Sequence, residues 1–197
     1  MMNSEKIIIA IDGEAASGKG TISKMIAKSF GFGHLDTGSL YRAIALKTIE
    51  LNLDYNDKKD IEQISKLDIS DKLKDPKLKD NIVGEVASVL AQYPQVRQAL
   101  YNYQRNFPLS MTGAVIEGRD IGTVIFPEAV LKFYFIANIE VRAKRRYLEV
   151  LSNNSQESYE EVLDQIRKRD IRDMSRNLSP LAKANDAILI DNSSLNI

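Results

Sequence analysis

Lys19 and Thr21 close a glycine-spaced run, Gly13-Glu14-Ala15-Ala16-Ser17-Gly18-Lys19-Gly20-Thr21, whose residue types suit one task, holding a chain of phosphates. Glycines at 13, 18 and 20 let the backbone approach a ligand closely. The N–H groups of such a loop, and of the helix it opens, face an anion with the helix dipole behind them. A Lys in this place reaches the outer phosphates, and a Ser or Thr just beyond it ligates Mg²⁺. Here Gly20 separates Lys19 from Thr21, which makes the spelling G-K-G-T.

The loop needs a strand before it and a helix after it. Ile7 to Ile11 is an unbroken apolar run of the kind a buried parallel strand requires. Ile22, Met25, Ile26 and Phe30 recur at helical spacing. Further strands are expected at 33–36, 114–117, 130–137 and 187–190, alternating with helical patterns. That alternation predicts an α/β fold, a five-stranded parallel sheet with helices on both faces.

Other chemistry-bearing residues fall at strand ends, where open α/β sheets bind ligands. Thr37, Tyr41 and Arg42 follow the second strand, with Thr37 or Ser39 placed to cap the next helix. Arg42 lies one turn in, suited to clamp a phosphate or to stand on the surface. Gly118-Arg119-Asp120-Ile121-Gly122 follows the third strand. Two helical patterns break at Tyr93-Pro94, and Ser88 and Arg97 flank that break. Arg142, Lys144, Arg145 and Arg146 follow the fourth strand, then a polar loop at 152–158. A charged helix from Tyr159 to about Asp173 comes next, carrying Arg169, Arg172 and Asp173, with Arg176 just beyond. Such an Arg-studded hairpin suits a lid over a triphosphate, or a surface hairpin held by ion pairs. Residues 52–81 are rich in Asp, Lys and Asn, and read as a solvated, mobile insertion with little core of its own.

Composition sets bounds. The chain has 197 residues, 44% of them hydrophobic, enough for one domain with a full core. Lys+Arg and Asp+Glu are both 27, which gives no support for nucleic-acid or membrane-surface binding. With no Cys, disulfides and thiol catalysis are out, and a reducing cytoplasm is compatible. The one histidine, His34, reads as a packing residue at a strand start. Residues 1–6 lack a signal-peptide layout, and no segment reaches membrane-span length. Nothing asks for more than a monomer. The guanine-reading N-K-x-D and the D-x-x-G of switch GTPases are missing.

D-T-G-S-L-Y-R at 36–42, G-R-D-I-G-T-V-I-F-P at 118–127 and R-D-x-R-D-x-x-R at 169–176 together resemble the bacterial cytidylate kinases, of the nucleoside monophosphate kinase superfamily. The resemblance runs from about Ile7 to Asn192. It implies the P-loop NTPase fold, with an inserted CMP-binding subdomain at about 52–108 and a lid at about 142–170. The implied reaction moves the γ-phosphoryl group of ATP to CMP or dCMP, with Mg²⁺, in cytoplasmic pyrimidine nucleotide metabolism.

By resemblance, Gly13 to Thr21 hold ATP, with Thr21 on Mg²⁺. Thr37, Tyr41, Arg42 and Arg119 take the CMP end. Ser88, Arg97 and Asp120 read cytosine. Arg169, Asp173 and Arg176 contact sugar and phosphate. Lys19, Arg119 and Arg176 serve the transfer, and Arg142, Arg145 and Arg146 belong to the lid. Two departures stand out. The segment between Leu67 and Val86 is too short and polar for the family's three-stranded insertion, and the chain stops at Ile197, before the family's final helix.

Overall fold

The computed structural model describes residues 6–152 and 156–195. The first five residues, the middle of the expected polar loop and the last two residues lie outside it. Strands β1 (Ile7–Gly13), β2 (Gly33–Asp36), β3 (Gly113–Gly118), β4 (Leu131–Ile136) and β5 (Ile188–Asp191) form one sheet in the order β2-β3-β1-β4-β5. Every pairing is parallel, as the strand–helix alternation predicts.

Alternation along β1 and β3 explains why helices cover both faces. Ala10, Ala114 and Ile116 point into the larger core, with helices α2 (Thr37–Glu50), α4 (Asn81–Leu90) and α5 (Pro94–Asn106). Ile9, Ile11 and Val115 point the other way, onto Ala27, Ile22 and Ile26 of α1 (Lys19–Phe30). Helices α6 (Ile139–Ser152) and α7 (Tyr159–Ser175) pair over a small core of their own around Ala143, Val150, Val162 and Ile166. A capping box at Ser158 and Glu161 starts α7.

The 52–81 segment departs from its expected character. It holds the short helix α3 (Lys58–Ile64), capped by Asp57, whose side chain accepts from the Lys59 and Asp60 N–H groups. Ile61, Ile64, Ile69 and Leu78 from this stretch are buried in the main core. The Asp and Lys residues form a solvated outer face, while the sparse apolar residues anchor the segment. Residues 67–86 contain no strand, only a 3-10 turn at Pro76–Lys79 and the start of α4.

Candidate active site

The C-terminal ends of β1, β2 and β3 open into one cleft of about 1670 Å³. The glycine loop forms one wall. Gly13 adopts φ 149° and Gly18 φ 88°, both open to glycine at little cost. A Cβ on Gly13 would stand 2.2 Å from the Phe135 carbonyl oxygen, so β4 passes too close for any side chain there. Asn192, just past β5, donates from Nδ2 to the Ser17 carbonyl at 2.6 Å and braces the loop from behind. Arg145 in turn donates to the Asn192 carbonyl at 2.8 Å. Lys19 Nζ lies 3.2 Å from the Glu14 carbonyl, which accepts its proton. Burial, reinforced by the Arg119 guanidinium, pulls the Lys19 ammonium down to about 7.

Beneath the loop sits Glu117, at the end of β3. Its carboxylate is 3.3 Å from where a Cβ on Gly20 would stand, and it pairs with His34 Nε2 at 3.0 Å. His34 is therefore more than the packing residue expected from sequence: it lines the cleft and holds a buried carboxylate. Thr37 Oγ1 donates to the Glu117 carbonyl at 2.8 Å, tying the start of α2 to β3.

The far side of the cleft is strongly cationic. Arg119 Nε meets Asp173 Oδ2 at 2.7 Å, and Arg169 Nε lies 3.8 Å from the same oxygen. Burial alone would raise the Asp173 pKa, but Arg119 and Arg169 hold it below the usual carboxylate value. Burial and then Arg119 pull Arg169 down to about 9. Arg42 donates to the Leu78 carbonyl at 2.7 Å, which turns it toward the inserted segment. Arg169 Nε and Arg176 Nη2 are buried with no hydrogen-bond partner among the described residues. Buried donors left unmet in a cationic wall are suited to an anionic ligand.

Deeper in, Arg97 Nη2 donates to Asp120 Oδ2, and Arg176 Nη2 approaches Asp120 Oδ1 at 3.8 Å. Burial nevertheless lifts the Asp120 pKa above its usual value. The Arg97 guanidinium stands 5.9 Å from the centre of the Tyr41 ring, whose hydroxyl burial pushes up to about 12. Ser88, on α4, completes this corner of the cleft wall. The result is a small chamber with a carboxylate, a guanidinium and a hydroxyl, next to a phosphate cradle.

With that geometry in place, the relatives decide the family. The family pattern described as Cytidylate kinase matches residues 9–197. A cytidylate kinase of Rhodopseudomonas palustris (strain TIE-1) is 47% identical over 191 residues, spanning 97% of this chain and 90% of that protein. One from Afipia carboxidovorans is 46% identical, over 97% of this chain and 91% of its own length. The chain belongs to the cytidylate kinase family. Among solved structures, an uncharacterized protein from Eubacterium ventriosum shares the fold, with a TM-score of 0.51 at 16% identity over 96% of this chain and 91% of that one.

Most residues that the sequence links to cytidylate kinases line this one cleft: Ala15 to Thr21, Thr37, Tyr41, Arg42, Ser88, Arg97, Arg119, Asp120, Arg145, Arg146, Arg169, Asp173 and Arg176. Three do not. Gly13 is behind the loop. Glu14 faces away from the cleft, accepting the Ala137 N–H at 3.2 Å. Arg142, placed by resemblance in the lid, is buried between Glu14 at 3.2 Å and Asp170 at 2.8 Å. It also donates to the Ala137 carbonyl at 2.8 Å, so its charge is spent inside the protein, joining the loop to α7.

Sequence reasoning gave no role to Asp12, Glu117 or Asn192, and named Arg172 only among the charges of its helix. Asp12 and Glu117 each precede a glycine at the end of a buried strand, a signal that was there to read. Asn192 and Arg172 act through partners distant in the chain, which no local pattern marks.

The loop offers Mg²⁺ a side-chain oxygen, the Thr21 hydroxyl. Thr21 lines the cleft with an exposed side chain. Among the described residues no cluster of three or more His, Cys, Asp or Glu side chains could hold a metal ion. An ion at Thr21 would take most of its ligands from phosphates and water, as Mg²⁺ commonly does.

Proposed function

We propose that this chain transfers the γ-phosphoryl group of ATP to CMP or dCMP, giving the diphosphate and ADP, as a cytoplasmic monomer in pyrimidine nucleotide metabolism. Membership of the cytidylate kinase family makes it an ATP-dependent phosphotransferase. The observation that carries the choice of acceptor is the buried Arg97–Asp120 pair in the same cleft as the phosphate loop. Cytosine offers an exocyclic amine beside the N3 and O2 acceptors. Asp120 accepts from the amine, while Arg97 and the Ser88 hydroxyl serve the rest of the edge. Uracil would set a carbonyl against the Asp120 carboxylate, acceptor against acceptor.

The phosphates are divided between two sides. Ala15 to Thr21 would cradle those of ATP, with Gly13 and Glu14 shaping the loop from behind, and Thr21 would hold Mg²⁺, which would neutralise charge on the phosphate oxygens. Thr37, Tyr41, Arg42 and Arg119 take the acceptor's phosphate end. Arg169, Asp173 and Arg176 contact its sugar and phosphate. Lys19, Arg119 and Arg176 stabilise charge on the transferring group. The acceptor phosphate is already an anion, so the protein needs no general base, and positioning with charge neutralisation carries the rate. Asp120 is a binding residue in this scheme.

Residues 52–108 would form the acceptor-binding insertion and 142–170 the lid. Arg145 and Arg146 face the cleft, whereas Arg142 would support the loop from behind. No helix among the described residues is long and apolar enough to cross a membrane. An ADP-release assay across CMP, dCMP, UMP, AMP and shikimate tests the reading. Turnover of CMP and dCMP is expected, and turnover of UMP without CMP would overturn it.

A further inference from the structure

Ser88 is held from outside the cleft. Arg172 on α7 donates from Nε to Ser88 Oγ at 3.1 Å and from Nη2 to Glu85 Oε2 at 2.7 Å. Glu85 and Ser88 lie three residues apart on α4 and so share a face. One planar guanidinium therefore binds two acceptors at once, a geometry its fixed fork of donors suits and a lysine ammonium does not. Ser88 is 5% exposed, and both it and Glu85 line the cleft, while Arg172 does not.

That contact has a chemical consequence. A free hydroxyl has one donor and two lone pairs, and it rotates to suit whatever it meets. It can donate to a base nitrogen or accept from a base N–H, so on its own it separates cytosine from uracil poorly. With one lone pair committed to Arg172 Nε, the Ser88 hydroxyl loses part of that freedom. Its O–H and its second lone pair then point in directions set by that bond, and a base edge whose groups do not meet those directions leaves a buried group unmet, which is where hydrogen-bond selectivity originates.

We propose that Arg172 is a specificity-determining positioning residue, which fixes the Ser88 hydroxyl by a Glu85–Arg172–Ser88 bridge and so sets the preference for cytosine over uracil. This rests on the assignment of Ser88 to the base. The bridge also registers α4, which bears the base contact, against α7, which bears Arg169 and Asp173.

The test is a double-mutant cycle read as kcat/KM for CMP divided by kcat/KM for UMP. In the full-length enzyme, Arg172→Gln should lower that ratio about tenfold, the effect of one hydrogen bond, with KM for ATP little changed. Arg172→Lys should fall in the same direction, and serves if Arg172→Gln folds poorly. In a Ser88→Ala background, Arg172→Gln should lower the ratio no further, because Arg172 acts through Ser88. Equal losses for CMP and UMP would overturn the proposal and leave Arg172 a tether between helices. So would an additive effect in the Ser88→Ala background. A ratio unmoved by Ser88→Ala would instead remove Ser88 from base reading and this proposal with it. A ratio moved by Ser88→Ala but not by either Arg172 variant would sink the proposal alone.

Discussion

Asp12 and Gly122 lie 110 residues apart, and the Asp12 carboxylate accepts the Gly122 N–H at 2.7 Å. Its other oxygen accepts the Ile121 N–H at 2.8 Å. A carboxylate at the end of β1 thus anchors the π-helical turn Ile121–Ile125, directly after Arg119 and Asp120. Those two residues hold their place because Asp12 fixes the backbone behind them.

Burial lifts the Asp12 carboxyl to about 6, although the two backbone donors oppose the shift. The folded state therefore binds this proton more tightly than the unfolded chain, whose reference value is 3.8. Its contribution to stability is fully present below that reference value and is lost as pH rises through about 6. Asp12→Asn titrates nowhere in this range. Wild type should lose up to roughly 3 kcal/mol relative to the variant between about pH 4 and 7. Denaturant melts across that window would show it, and a constant difference would refute it.

Lys19→Ala should cut kcat on the order of 10²–10³-fold, in the range for loss of a group that stabilises transition-state charge. Binding of CMP, followed by calorimetry, should change little. Retained turnover would contradict the role given to the loop.

Asp120→Asn should erode the choice of base. The amide can donate toward a uracil carbonyl, and the buried Arg97 loses its anionic partner. The CMP-to-UMP ratio of kcat/KM should drop at least about tenfold. An unchanged ratio would take Asp120 out of base reading.

Gly84→Val probes how Arg42 is seated. A Cβ on Gly84 would stand 3.0 Å from Arg42 Nη2 and 3.1 Å from Nη1, so the glycine leaves room for the guanidinium. Valine should displace Arg42 and raise KM for CMP about tenfold or more, with KM for ATP unaffected, by analogy with the loss of a charged hydrogen bond. An unaltered KM for CMP would mean that Arg42 does not need this space.

Strands, loop and most of the cleft were legible because each is written locally. The Ile7–Ile11 run, the glycine spacing and the break at Pro94 all act over a few residues. What escaped depends on contacts far apart in the chain. The i, i+3 pair Ile61 and Ile64 sits in a helix of 7 residues, too short for periodicity to stand out against the surrounding Asp and Lys. Arg142 has the composition of a lid residue, yet Glu14 and Asp170 close on it only when the loop and α7 come together. His34 likewise could not be matched to Glu117 before β2 and β3 were known to pair.

The crowding of Lys19, Arg119, Arg169 and Arg176 in one cleft has a consequence beyond catalysis. Burial chiefly, and then the neighbouring Arg119, pull down the proton affinities of Lys19 and Arg169, and the second contribution is repulsion between these groups. Such a cleft resembles a compressed spring, relieved when anions settle between the charges. Nucleotides would then hold the fold together by mass action as well as being consumed by it. The share of molecules open to proteolysis would shrink as nucleotide concentration rises and grow as it falls.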